Sequence, residues 1–182
     1  MAIRSISSIK HFISYEQKRM LMSSLVLSQL DYCNSIYVGI HSNNIRKLQS
    51  VQNSAARLIM NCHTNRSLPS LFNELHWLPI KNRILFKICV YVHKCLYHTA
   101  PDDLMTMLFP CDSFIRTAKL LQVYTPQSSY GKKSFSVCAP KVWNFIPFYI
   151  RHETDLSVFK KLLKTYLFTD WSYELYTRVV HS

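Results

Sequence analysis

The clearest periodicity in the chain lies at residues 44–62, "NIRKLQSVQNSAARLIMNC". At roughly 100° per residue, Ile45, Leu48, Val51, Ala55, Leu58 and Ile59 fall on one face. Arg46, Ser50, Asn53, Arg57 and Asn61 gather on the opposite face, within about 80° of one another. The pattern predicts an amphipathic helix, with Ser42, Asn43 and Asn44 as N-cap candidates. Before it, residues 14–40 carry a helical pattern closed by Gly39. After it, a polar loop leads to a short helix through "LFNELHWL", which Pro79 either ends or follows by opening the next helix. In that case Trp77 and Leu78 pack a corner between two helices. "IKNRILFKICVYVHKCLYH", residues 80–98, is apolar over most of its circumference and predicts a long central helix. "APDDLMTMLF" reads as a further short helix with Pro101 at its start.

Beyond Pro110 the pattern changes. Residues 118–137 mix β-favouring side chains with turn signals at Pro126 and Gly131, which predicts a small β-hairpin or an irregular excursion. Residues 136–147 read as a short helical segment broken at Pro140 and stopped by Pro147. Residues 154–168 form a clean terminal helix capped by Thr154 or Asp155. Phe159, Leu162, Leu163 and Tyr166 face inward there, and Lys160, Lys161 and Lys164 face outward. The expected fold is mainly α, a helical bundle-like array. Residues 1–110 form a helical region, residues 111–168 a short β or irregular segment with the C-terminal helix packed on it, and residues 169–182 a tail without assigned structure.

Composition narrows the function classes. The chain has 182 residues, enough for one ordinary core or two small ones. Its glycines are Gly39 and Gly131, too few for a phosphate-cradling loop, whose backbone must approach the anion at several closely spaced positions. There are 22 Lys and Arg against 10 Asp and Glu, for a net charge of +12. The excess runs along the whole chain: 7 against 2 in residues 1–60, 5 against 3 in 61–110, and 10 against 5 in 111–182. A balance of this kind favours nucleic acid or an anionic surface as partner. The N-terminus lacks the apolar run of a signal peptide, and no apolar stretch approaches the ~20 residues of a membrane helix. The expectation is an intracellular protein, nuclear or cytoplasmic, with its six cysteines as reduced, buried thiols.

Asp102 and Asp103 are an adjacent acidic pair, but they follow Pro101 and open a helix, where carboxylates offset the positive end of the helix dipole. Cys62, His63, His76, Cys89, His93, Cys95 and His98 crowd residues 62–98. Cys89 and His93 lie within about 40° of each other on a helix, with Cys95 and His98 on roughly the opposite side, so they do not converge on one zinc ion. Buried thiols and partly exposed imidazoles are expected instead. Nothing places a Ser or Cys nucleophile beside a base and an acid. No catalytic residue, metal site, cofactor or small-molecule substrate is expected, and no membrane partner.

Three basic stripes remain. Arg83, Lys87 and Lys94 fall within about 40° on the central helix. Arg46 and Arg57 share a face of the helix before it, and Lys160, Lys161 and Lys164 share one on the last. Each could be a solvated face; together they suit a phosphate backbone, with Tyr91 and Tyr97 placed to stack on bases.

The order of motifs carries a resemblance. "SQLDYCNSIYVGI", "IRKLQSVQNSAARLIM", "LFNELHWLPIKNRILFKICVYVHKCLYHTAPDDL", "YGKKSFSVCAPKVWNFIP" and "LSVFKKLLKTYLF" follow one another. Over roughly residues 3–168 this series resembles the C-terminal region, beyond the palm, of the reverse transcriptase of LINE-type, jockey-related non-LTR retrotransposons. The resemblance implies a polymerase whose palm aspartates and endonuclease lie in other parts of the polyprotein. It makes this chain a non-catalytic region rather than an enzyme, one that holds template RNA, target DNA or their hybrid beside the polymerase body. The alternative is a protein-interaction or scaffold module, or a translated remnant, using Trp143, Phe145, Phe148 and Tyr149 as exposed aromatics.

Overall fold

The computed structural model describes residues 2–62, 66–111, 119–128, 131–169 and 176. The fold is mainly helical, as the periodicity predicts. Among the described residues there is no β-strand, and an isolated antiparallel bridge joins Pro110 to Leu121. Residues 121–128 follow the irregular alternative, not the hairpin; residues 118, 129 and 130 of that stretch lie outside the described residues. So do residues 170–175 and 177–182 of the expected tail. The chain forms two compact units, residues 1–34 with 40–83 and residues 35–39 with 84–182.

Unit 1 opens with α1, Ala2–Ser8, and α2, Tyr15–Met22. Ser14 and Gln17 start α2 with reciprocal side-chain to backbone bonds, which satisfy two donors the helix leaves open. The long helical pattern of residues 14–40 does not become one helix. A π-helical turn, Ser23–Leu27, leads into α3, Ser28–Asp31, and Cys33 turns left-handed at φ 49°. The hydroxyls of Ser24 and Ser28 donate to carbonyls of the preceding turn, Ser24 to Met20 at 3.0 Å, competing with the regular ladder.

Helix α4, Ser42–Ile59, is the expected amphipathic helix. Its N-cap is His41, one residue ahead of the Ser/Asn candidates, with Nδ1 accepting from the Asn43 amide at 3.2 Å. Its buried stripe is Ile45, Gln52, Ala55, Ala56 and Ile59, while Val51 is exposed. The stripe is therefore rotated toward a polar residue. Gln52 is fully buried because its Nε2 donates to the Leu78 carbonyl at 2.9 Å, and Gln49 Oε1 accepts from the Ile80 amide at 2.9 Å. These two amides hold the corner between α5, Leu68–Leu75, and α6, Ile80–Leu96. Trp77 and Leu78 are buried in that corner, with the Trp77 ring 6.4 Å from Phe72. His76 turns left-handed after α5, and the Pro79 carbonyl accepts the Arg83 amide, so Pro79 opens α6.

Helix α6 begins in unit 1; from Ile84 onward its residues belong to unit 2. Unit 2 adds α7, Asp102–Met105, α8, Phe135–Phe145, α9, Phe148–Arg151, and α10, Leu156–Thr169. Helix α8 runs through Pro140 without the expected break. The lost amide donor is offset by burial of Pro140 together with Val137, Ala139, Val142 and Trp143. Trp143 Nε1 donates to the Lys119 carbonyl at 2.7 Å, and Asn144 exchanges two bonds with the backbone of Leu121, at 2.9 and 2.8 Å. The core around them contains Phe159, 5.8 Å from Trp143, and His93, 4.4 Å from Phe159. Asp155 caps α10, its Oδ1 accepting from the amides of Ser157 and Val158. Gly39 sits at φ 71°, where a Cβ would come within 2.9 Å of Lys133 Cγ.

Candidate nucleic-acid interface

The basic stripes have different fates. On α10, Lys160, Lys161 and Lys164 are all exposed, on the side away from buried Phe159, Leu163 and Leu167. Lys164 Nζ lies 5.7 Å from the Phe168 ring centroid. This stripe is presented as the sequence predicts.

The row on α6 loses its head. Arg83 grips Asp31 through both nitrogens of its outer edge, Nε to Oδ1 at 2.7 Å and Nη2 to Oδ2. The Arg83 side chain is only 16 % exposed. Asn34 Nδ2 also donates to Asp31 Oδ1, at 3.3 Å, fixing the carboxylate. A planar guanidinium held bidentately is neutralised and positioned, so Arg83 is part of the architecture of unit 1 and not a donor offered to a ligand. Lys87 is half-buried with Nζ 5.6 Å from the Tyr91 ring, and Lys94 is also half-buried.

Arg46 and Arg57 separate as well. Arg46 is exposed and donates to Asn43 Oδ1 on its own helix. Arg57 is half-buried, and its Nε is buried with no hydrogen-bond partner among the described residues. It lines a pocket of about 920 Å³ in unit 1, together with Lys10, His11 and Lys18. Lys18 is only 4 % exposed, and its Nζ donates to Asn61 Oδ1 at 3.0 Å. Sequence reasoning passed over this group. The available signal was the position of Lys18 one helical turn before Met22, which is fully buried: a lysine on the inward face of a helix.

The remaining candidates stand as follows. Asp102 and Asp103 are exposed in the first turn of α7. Among the described residues no three His, Cys, Asp or Glu side chains gather as a metal site. Cys89 and Cys95 are buried, and burial pushes both thiols up from their ordinary pKa, away from reactive thiolate. His93 is buried rather than partly exposed. Its Nε2 lies 3.0 Å from the Glu153 carbonyl, and burial holds its pKa down. Trp143, expected among the exposed aromatics, is fully buried, because its ring fills the core and its Nε1 has a backbone partner. Phe145, Phe148 and Tyr149 are exposed, with the Phe148 ring centroid 4.0 Å from that of His152 and the two planes tilted by 36°. No helix among the described residues is long and apolar enough to cross a membrane. Compared with protein-family models, curated proteins and solved structures, the chain finds no match in any of the three.

Proposed function

We propose that this chain is a non-catalytic nucleic-acid-binding region, related to the C-terminal part of a non-LTR retrotransposon reverse transcriptase and acting inside the cell, in nucleus or cytoplasm. The observation that carries the reading is the exposed triad Lys160, Lys161 and Lys164 on α10, in a chain of net charge +12. Side chains one helical turn apart can follow successive phosphates, and each phosphate neutralised releases counterions, which gives affinity without sequence preference. The motif order of the resemblance supports the same reading, with template RNA, target DNA or their hybrid as ligand and the polymerase body of the parent element as neighbour. No bound group and no chemistry at a metal are part of it.

The test is fluorescence anisotropy with single-stranded RNA, duplex DNA and an RNA–DNA hybrid over a range of salt. Binding should be roughly micromolar at low salt and weaken steeply as salt rises. Changing Lys160, Lys161 and Lys164 together to Gln should lower the salt slope on a single strand by about 2. Absence of binding at low salt, or binding indifferent to the triple change, refutes the reading. A second reading, a protein-interaction module, is favoured by exposed Phe145, Phe148 and Tyr149. A stable complex with protein but none with nucleic acid would select it.

A further inference from the structure

The pocket of unit 1 has a composition that the α10 face does not share. It measures about 920 Å³ and is lined by Lys10, His11, Tyr15, Lys18, Arg57 and Asn61, among others; no carboxylate among the described residues lines it. Lys18 is the decisive group. A lysine so thoroughly removed from water normally sits against an acid, because taking an ammonium out of water costs several kcal/mol unless another charge compensates it. Here the Nζ has a neutral amide oxygen, that of Asn61, as its hydrogen-bond acceptor. An ammonium has three donors. Beside it, Arg57 brings a second cation whose buried Nε has no partner among the described residues. Helix α4 ends at this pocket, but the negative end of a helix carries only about half an elementary charge. That does not balance two buried or half-buried cations with Lys10 beside them. The fold holds positive charge in a concave place and leaves donors over.

We infer that this pocket binds a phosphate group carried on a nucleotide-sized ligand, with Lys18 and Arg57 as its donors. The volume is at the upper end of pockets that take small organic ligands and much exceeds what a bare anion fills. The exposed Tyr15 ring and His11 at the same pocket offer surfaces for a base or sugar. The ligand is either a free nucleotide or the terminal nucleotide of a nucleic acid. The inference goes beyond the nucleic-acid reading above and stands if α10 binds nothing.

The test is calorimetric titration of the full chain with adenosine 5′-monophosphate and with adenosine, alongside a short oligonucleotide with and without a 5′-phosphate. The monophosphate should bind at a single saturable site and adenosine should not. Lys18→Gln and Arg57→Gln should each weaken the monophosphate by about tenfold or more, the usual scale for a lost charge-assisted bond. Lys47→Gln, an exposed position on α4 that does not line the pocket, should leave it unchanged. Lys18 is buried, so Arg57→Gln is the decisive variant if Lys18→Gln fails to fold. Tighter binding of the 5′-phosphorylated oligonucleotide, competed by the monophosphate, identifies a nucleic-acid end as the source. Equal binding of the two oligonucleotides beside a saturable monophosphate site identifies a free nucleotide. Absence of saturable monophosphate binding, or equal affinity in folded Arg57→Gln, overturns the inference whatever α10 does.

Discussion

Units 1 and 2 each contain a short stretch of backbone held by side chains of a helix, and they hold it in different ways. In unit 1, Gln49 and Gln52 of α4 bind the backbone of residues 78–80. Gln49 Nε2 also donates to Gln52 Oε1 and Asn53 Oδ1, so the amides orient one another. In unit 2, Trp143 and Asn144 of α8 bind the backbone of residues 119–121. The first hold is entirely polar and can be removed with little change in packing. The second includes an indole that also fills the core against Phe159. The difference shows how a hydrogen bond can be separable from hydrophobic burial in one place and inseparable from it in another.

The comparison fixes an order of costs. Trp143→Ala loses a fully buried aromatic and a backbone partner together, so it should destabilise by about 3–5 kcal/mol in urea unfolding. Gln52→Met keeps the volume and loses the donor. It should cost about 1–3 kcal/mol, the penalty for stranding the Leu78 carbonyl away from water. If the two variants cost the same, the distinction between a polar hold and a packed hold is wrong.

These holds also explain what was legible in the sequence. The helices followed from apolar spacing, and the corner at Trp77 and Pro79 from proline chemistry. The partners did not follow. Gln49 and Gln52 lie some thirty residues from the backbone they bind, and no local periodicity encodes that distance. Gln52 even occupies the inward face of α4, where a pattern of apolar positions has no reason to count it. The same limit misplaced Arg83. Its spacing to Lys87 and Lys94 is a true helix row, but Asp31 lies 52 residues away and takes the guanidinium. The division between the units falls inside α6, where the helical pattern continues across it and no local signal marks it.

Arg83 has a counterpart in unit 2 that sharpens the contrast. Arg151 is buried, and its Nε and Nη1 have no hydrogen-bond partner among the described residues. Burial lowers its pKa, the mark of a charge held without compensation. Removing a guanidinium held by a carboxylate and removing one with two buried, unpartnered nitrogens should therefore differ in sign. A double-mutant cycle of Arg83→Gln and Asp31→Asn should show a coupling of about 1–2 kcal/mol, modest because Asp31 keeps solvent contact. Arg151→Met should be neutral or mildly stabilising, since an apolar side chain of similar length replaces an uncompensated charge. A large loss at Arg151 would mean that its guanidinium is held by an acceptor, through Nη2 or from beyond the described residues.

The smallest effect is one that acid reveals. His93 sits in unit 2 between Tyr97 and Phe159, with ring centroids 4.5 and 4.4 Å away. Its Nε2 donates to the Glu153 carbonyl, and its Nδ1 is buried without a partner among the described residues. Protonation would place a second N–H, and a charge, where no acceptor waits. Burial therefore holds its pKa below the ordinary value, with Lys119 acting in the same direction and the Glu153 carbonyl, the Glu153 carboxylate and Asp155 opposing. Below about pH 6.5, the ordinary histidine value, the unfolded chain takes up the proton that folded His93 refuses. Stability from this group is complete above that pH and falls as the pH drops toward the folded value. The urea midpoint should thus be lower at about pH 5.5 than at about pH 7.5. His93→Phe keeps the aromatic contacts and has no proton to bind, so it should flatten that part of the profile. In unit 1, Gln52→Met should shift the midpoint without changing the slope. An unchanged slope in His93→Phe would assign the acid sensitivity to another histidine.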